Sequence, residues 1–312
     1  MREDDAPVLS VIIPAYLAAG TIGDCLASLC VQWEPPPFEV IVVDSSPDDS
    51  TERIVRPFTR EVGGRLDLRV VRRAAQTYPG TARNIGARLA RAPRLLFLDA
   101  DCTAHPDLLA RAVIALDAGA AVAGSSIAVP ERFSVSGRIR HLLEFKESLP
   151  GVPARATWQI PSACVAFERT AFERHGGFPD TRASEDWLLN WRMWQAEERL
   201  VFDPRMRVRH ATPRGWAALF AYARVLGFAS GRARLVGGLP GQWVVRRPWL
   251  AAALPVGRTL RALWWCARYS PPQFFFLVLA WPAYLAVAAV WAHAFARGVR
   301  SVTPDRPACE AT

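Results

Sequence analysis

Two carboxylates one residue apart, Asp99 and Asp101, end the short run Leu95-Leu-Phe-Leu98. The run is apolar at every position rather than at alternate ones, which predicts a strand buried on both faces of a parallel sheet. Open α/β sheets bind their ligands beyond such carboxyl ends. Two like charges there repel one another and are costly to desolvate unless a cation or hydrogen-bond donors compensate them. A hard divalent ion with oxygen ligands, together with bound phosphates, supplies that compensation. A solvated loop, or a helix cap before Pro106, would use the same residue types, so the elements around the pair matter.

Those elements alternate at βαβ spacing. Val8–Ile13 reads as a first strand, Pro14-Ala15-Tyr16 as a loop, and Thr21 as the cap of a helix to about Val31. Glu39–Val43 is a second strand ending at Asp44, and Leu68–Val71 a third. Gly80-Thr-Ala-Arg83-Asn84 opens a helix that leads to the Leu95 strand. The pattern predicts right-handed crossovers and a parallel sheet. Further on, Ala120–Val129 reads as a strand, Ser136–Leu149 as a polar helix and Ser162–Phe167 as a short strand. Arg169–His175 is a helix closed by Gly176-Gly177, and Ser184–Glu198 a helix whose Trp187, Trp191 and Trp194 share one face and read as core. Val201-Phe202 and Met206–His210 read as a hairpin or pair of strands.

Composition narrows the function classes. The 312 residues are 51% hydrophobic and carry a formal charge of +9, with a pI near 9.8. Lys146 is the single lysine, so the cationic charge is almost all Arg. The Arg residues thicken after Arg205 beside Trp and apolar runs, which fits a membrane surface rather than a nucleic-acid groove. The six cysteines, Cys25, Cys30, Cys102, Cys164, Cys266 and Cys309, form no C-x-x-C pair and read as reduced thiols in a reducing compartment. The short apolar run after the acidic N-terminus stops at Pro14 and does not read as a signal peptide.

Four motifs taken in order resemble the family 2 glycosyltransferases of the GT-A fold. They are Leu9-Ser-Val-Ile-Ile-Pro-Ala-Tyr16, Val42-Val-Asp44-Ser-Ser, Asp99-Ala-Asp101 and Ser184-Glu-Asp186-Trp-Leu-Leu-Asn-Trp-Arg192, with Gly80-Thr-Ala-Arg83-Asn84-Ile-Gly86 between the second and third. The resemblance covers roughly residues 8–211. It implies an α/β GT-A fold, Rossmann-like, with a mostly parallel sheet flanked by helices. It also implies an inverting transfer of sugar from a nucleotide diphosphate, UDP favoured, with Mg²⁺ or Mn²⁺. In that scheme Pro14 and Tyr16 line the nucleobase pocket, and Asp44 bonds the base or ribose. Arg83, at a helix start, meets the pyrophosphate with a bidentate fork, its competing use being a surface ion pair. Asp99 holds the ribose or the metal shell, Asp101 binds the metal, and His210 is a further metal or phosphate ligand. Asp186 is the general base, Glu185 its neighbour or a first-turn acid, and Arg192 an acceptor-side residue. The Q-x-x-R-W element of processive members is replaced by Asn190-Trp-Arg192-Met-Trp194.

After Pro213 the character changes. Trp216, Leu219, Phe220, Ala223 and Leu226 share a helical side, and Arg258, Arg261 and Arg268 stripe Trp249–Arg268 as on an interfacial helix. Phe274–Phe295 is long and apolar enough to span a bilayer, which takes about 20 residues; a buried core helix is the competing reading. The expected organisation is a catalytic domain over 1–212, with a nucleotide-sugar half to about 102 and an acceptor half from 103. An amphipathic region, 213–247, membrane-associated helices, 248–296, and a polar tail, 297–312, follow. The expected partners are a nucleotide sugar, a lipid-linked or glycan acceptor and the cytoplasmic membrane, with the catalytic domain facing the cytoplasm and no nucleic acid bound. Two rivals are a nucleotidyltransferase, which would show a Gly-rich, Lys-containing loop in place of Pro14-Ala-Tyr16, and a non-catalytic nucleotide-sugar scaffold.

Overall fold

The structure, a computed structural model, describes residues 6–59, 66–129, 134–212 and 215–301. The N-terminal part follows the predicted alternation: β1 (Leu9–Ala15), α1 (Ile22–Cys30), β2 (Phe38–Asp44), α2 (Ser50–Val55), β3 (Leu68–Arg72), α3 (Pro79–Leu89) and β4 (Arg94–Leu98). β1 pairs in parallel with β2 and β4, and β2 with β3. On β4, Leu96 and Leu98 enter one core cluster while Leu95 and Phe97 enter the other. Burial on both faces is what removes alternation from the sequence of this strand. Thr21 stands at the N-cap of α1, but its hydroxyl bonds the Ala18 carbonyl instead of a helix N–H.

Beyond Asp101 come β5 (Cys102–Ala104), α4 (Leu108–Asp117), β6 (Val122–Ala128), α5 (Val135–Phe145), β7 (Arg155–Ala156), β8 (Cys164–Glu168), α6 (Arg169–Arg174), α7 (Glu185–Gln195) and β9 (Leu200–His210). The sheet order is β3-β2-β1-β4-β8-β6-β9-β5, with β7 on β9. β8 is antiparallel to both β4 and β6, so the sheet is mixed where the sequence reading expects a mostly parallel one. The reason is local. β8 starts beside the end of β4, with Cys164 opposite Leu98, and runs back along it. This turns the loop before β8 toward the DxD pair: Asp99 N donates to the Ala163 carbonyl at 2.9 Å.

Three other expectations are corrected. β9 is a single strand, not two; its register against β6 shifts between Ser125 and Ser126, opposite the stretch that contains Pro204. A proline cannot donate to the ladder, and a bulge accommodates it. α5 is shorter than expected and largely buried, and a 3-10 turn (Lys146–Ser148) follows it. Lys146 is itself buried, 3.5 Å from Glu147. Finally, the buried face of α7 is Glu185, Leu189, Asn190 and Met193, so Trp187, Trp191 and Trp194 are not its core side.

The chain divides into two compact units, residues 1–133 with 144–212, and 134–143 with 213–312. Residues 134–143 thus join the C-terminal unit, although the sequence draws its boundary at 212. That unit contains α8 (Trp216–Val236), α9 (Gln242–Val245), α10 (Leu254–Tyr269) and α11 (Pro271–Arg300). α11 outruns the expected Phe274–Phe295, and by length and composition it is the one helix among the described residues able to cross a membrane. Glycines set its packing. A Cβ on Gly227 would lie 2.2 Å from the Trp291 carbonyl oxygen, and one on Gly298 would lie 2.1 Å from that of Phe228. α8 and α11 therefore touch backbone to backbone, as small-residue interfaces allow. Guanidinium groups lie over rings: Arg258 is 3.9 Å from Trp291 and Arg140 3.8 Å from Tyr222. The 12 Arg and 2 acidic residues after Thr212 give +10, leaving −1 for residues 1–212.

Gly227→Val forces this helix pair apart. Overpacking of this kind costs roughly 1–3 kcal/mol, and a lower midpoint in thermal unfolding of the detergent-solubilised protein is the expected result. An unchanged midpoint would show that α8 and α11 do not meet at Gly227.

Candidate active site

The centre of the site is built on Arg83. Its guanidinium is only 2% exposed, and its two terminal nitrogens reach Asp99 Oδ1 at 2.5 Å and Glu185 Oε1 at 2.8 Å. Burial opposes the charge, but Asp99 and Glu185 outweigh it and hold the pKa above the ordinary Arg value. The fork expected at a pyrophosphate is thus engaged by carboxylates in this structure, and the ion pair is buried instead of lying at the surface. Two glycines allow the approach. A Cβ on Gly86 would meet Ile12 Cγ2 at 2.4 Å, which seats α3 on β1; one on Gly80 would lie 3.0 Å from Glu185 Cγ. Asn84 completes the join, donating to the Phe178 carbonyl at 2.7 Å and accepting from the Phe178 N–H at 3.0 Å.

Asp101 stands two residues beyond Asp99. His210, at the end of β9, pairs across the ladder with Cys102 of β5 and brings its Nε2 to 3.4 Å from Asp101 Oδ1. One ligand atom each from Asp101, Cys102 and His210 lies within 4.8 Å of the others. The His210 ring packs 4.9 Å from Phe145, and its buried Nδ1 has no hydrogen-bond partner among the described residues. Carboxylate oxygen and imidazole nitrogen suit a divalent cation. Burial pushes the neighbouring Cys164 thiol up to about 12 and raises the Cys102 thiol as well. Cys25, Cys30, Cys102, Cys164 and Cys266 are all unbridged; Cys309 lies outside the described residues.

Asp186 opens α7 directly after Ser184, which holds the left-handed φ of 68°. Such a conformation in a residue with a Cβ is strain of the kind found at functional sites. The Asp186 carboxylate accepts from two backbone N–H groups, Ser162 at 3.0 Å and Trp187 at 2.8 Å. Its pKa is pushed up to about 7, first by burial and then by the adjacent Glu185 charge, against the pull of both N–H donors and Arg83. A carboxyl group tuned to neutrality is suited to exchange protons with a substrate.

The remaining predicted residues divide between places. Asp44 is buried: Oδ1 accepts from the Ser46 amide and hydroxyl, and Oδ2 from Arg72 at 2.5 Å. It pairs across the ladder with Ala15, beside half-buried Pro14 and exposed Tyr16, so Pro14, Tyr16 and Asp44 share the carboxyl ends of β1 and β2. Arg192 does not join Asp186; it is exposed and donates to the His175 carbonyl at 2.6 Å. Six residues along a helix turn the side chain about 120° away from the starting direction. Glu185 stands in the first turn of α7 and is also the buried partner of Arg83. Ser162, whose N–H holds Asp186, gave no sequence signal, because a backbone donor has no residue type. Asn84 did give one, lying within the Gly80–Gly86 motif.

The sequence model described as Glycosyl transferase family 2 matches residues 10–176, more than half of the chain. The chain belongs to that family. Among its relatives, glycosyltransferase AglE of Haloferax volcanii is 36% identical over 108 residues, which span 34% of this chain and 34% of that protein. This family 2 chain also shares its fold with a mannosyltransferase from Pyrobaculum calidifontis, PcManGT, solved in complex with GDP-Man and Mn²⁺. The TM-score is 0.61 at 24% identity, covering 96% of this chain and 88% of that one. TarS of Staphylococcus aureus (residues 1–349), in complex with UDP-GlcNAc, superposes with a TM-score of 0.53 at 18% identity, over 94% of this chain and 90% of that one.

Infrared titration of the carboxyl band should find Asp186 ionising at about pH 7. Glu185→Gln removes a neighbouring negative charge, so the Asp186 pKa should fall. A titration unmoved by Glu185→Gln would remove Glu185 as a cause of the shift.

Proposed function

We propose that this family 2 chain is an inverting glycosyltransferase that moves a sugar from a nucleotide diphosphate, UDP favoured, to a membrane-associated glycan acceptor at the cytoplasmic face. One observation carries the reading: Asp186, with its pKa near 7, follows Glu185, which Arg83 ties to Asp99, two residues from the Asp101–His210 pair. The arrangement joins a base to a cation and phosphate site through three side chains.

Asp101 and His210 would hold Mg²⁺ or Mn²⁺, and their donor set fits such an ion. Bound there, such an ion would supply charge stabilisation to the leaving diphosphate. Pro14, Tyr16 and Asp44 receive the nucleoside, Asp44 through carboxylate oxygens that Ser46 and Arg72 orient. Asp186 takes the proton from an acceptor hydroxyl while that oxygen attacks the anomeric carbon. The bond to the diphosphate breaks on the opposite face, which inverts the configuration. The two backbone N–H groups on Asp186 fix the carboxylate before the acceptor arrives, so little reorganisation accompanies the proton transfer. Arg83 acts as a positioning residue, holding Asp99 and Glu185 at one distance from each other.

Support for the membrane comes from α11 and from the +10 charge after Thr212. Anionic lipid attracts such a segment, at about 1 kcal/mol per cation near the surface.

The test is donor turnover by the full-length protein, offered UDP-glucose, UDP-GlcNAc and GDP-mannose with Mn²⁺. Asp101→Ala should abolish it and weaken metal-dependent UDP binding. Asp186→Asn should bind donor nearly as wild type while turnover falls by roughly 10²–10⁴. Because the base works ionised, wild-type kcat should rise with pH through about 7 and level off above it. Normal turnover in Asp101→Ala would sink the reading. In fractionated cells the chain should stay with membranes through a high-salt wash and leave with detergent; release by salt alone would make α11 a core helix.

A further inference from the structure

Three half-buried indoles stand beside the base. Trp158, in the loop before β8, has its ring 5.5 Å from Trp187 at an interplanar angle of 87°, and 5.3 Å from Trp191 at 66°. Trp187 and Trp191 are one helical turn apart on α7, off the face that α7 buries in the core. All three keep some contact with solvent. The Trp191 Nε1 is buried and has no hydrogen-bond partner among the described residues, whereas a packed indole usually finds one.

Their place relative to the chemistry follows from bonds. Asp99 is tied to Arg83, Arg83 to Glu185, and Glu185 is followed in the chain by Asp186. Asp186 in turn accepts from Ser162, which ends the loop carrying Trp158. Asn190, on the next turn of α7, fixes the same loop by donating to the Ile160 carbonyl at 2.8 Å. The tryptophans and the base are therefore carried by the same two segments, the loop before β8 and the start of α7, which Asp186 and Asn190 tie together. A phosphate or other anion is not favoured by the electron-rich indole faces. A pyranose ring is: it presents C–H groups on a face and hydroxyls at its rim, and the electron-rich indole face with an N–H nearby matches both.

We propose that Trp158, Trp187 and Trp191 form the platform for a pyranose ring of the acceptor, so that the acceptor is recognised as a saccharide and not through its lipid. This rests on the glycosyltransferase reading and deepens it.

Saturation-transfer NMR tests it on the full-length protein in detergent with UDP and Mn²⁺ present. The probes are maltohexaose, cellohexaose, mannohexaose and chitohexaose. Wild type should transfer saturation to ring C–H protons of at least one of them. Trp187→Ala and Trp158→Ala should bind that probe about tenfold more weakly. Trp187→Phe, which keeps an aromatic face, should stay within about threefold of wild type. A UDP-induced thermal shift in each variant establishes that it is folded. No transfer to any of the four sugars in wild type, or equal binding by folded alanine variants, overturns the platform. Failure of the glycosyltransferase reading is distinguished by wild-type donor turnover: turnover without saccharide binding sinks the platform alone, and absence of turnover with all three donors sinks the reading beneath it.

Discussion

A guanidinium with almost no contact with water, held between two carboxylates from separate elements, is the constraint on which the catalytic unit depends. Buried ion pairs add little net stability, because desolvation offsets their attraction; removing one partner, though, costs about 3–5 kcal/mol by stranding a buried charge. Arg83 between Asp99 and Glu185 is therefore better understood as a gauge than as glue. It admits one separation between the end of β4 and the start of α7. Gly80 and Gly86 exist in service of that separation, since a methyl group on either would press on Glu185 or Ile12.

The mixed sheet serves the same end. In a wholly parallel sheet, the neighbour of β4 would begin at the amino end and deliver its preceding loop far from Asp99. β8 runs the other way, so the loop over 157–163 ends beside the DxD pair, bonding Asp99 through Ala163 and Asp186 through Ser162. Reversal of one strand is thus what lets a backbone amide reach the base.

Much of this was legible in the sequence, and the losses have causes. The parallel strands β1 to β4 were readable because two-sided burial leaves uninterrupted apolar runs, and Asp99, Asp101, Asp186 and His210 were readable as chemical types at strand or helix ends. The direction of β8 was not, because side-chain periodicity is the same whichever way a strand runs. Arg83 is legible as a bidentate fork but not the identity of its partners Asp99 and Glu185, since carboxylate and phosphate ask for the same geometry. Helical spacing says that the tryptophans of α7 share a face, not which way the face points, so it does not separate a core face from an open one. The second unit yielded its apolar helices by length, while its use of residues 134–143 and the backbone contact at Gly227 depend on partners distant in the chain.

The nearly exclusive use of arginine has a consequence of its own. Guanidinium groups keep their proton around neutrality, so the +10 carried after Thr212 hardly changes there, while its attraction for anions weakens as ionic strength rises. Asp186 behaves in the reverse manner, changing charge near neutrality from a position that dissolved ions do not reach freely. The two halves of the chain consequently answer to different variables of the surrounding solution: salt acts on the C-terminal helices and protons on the base.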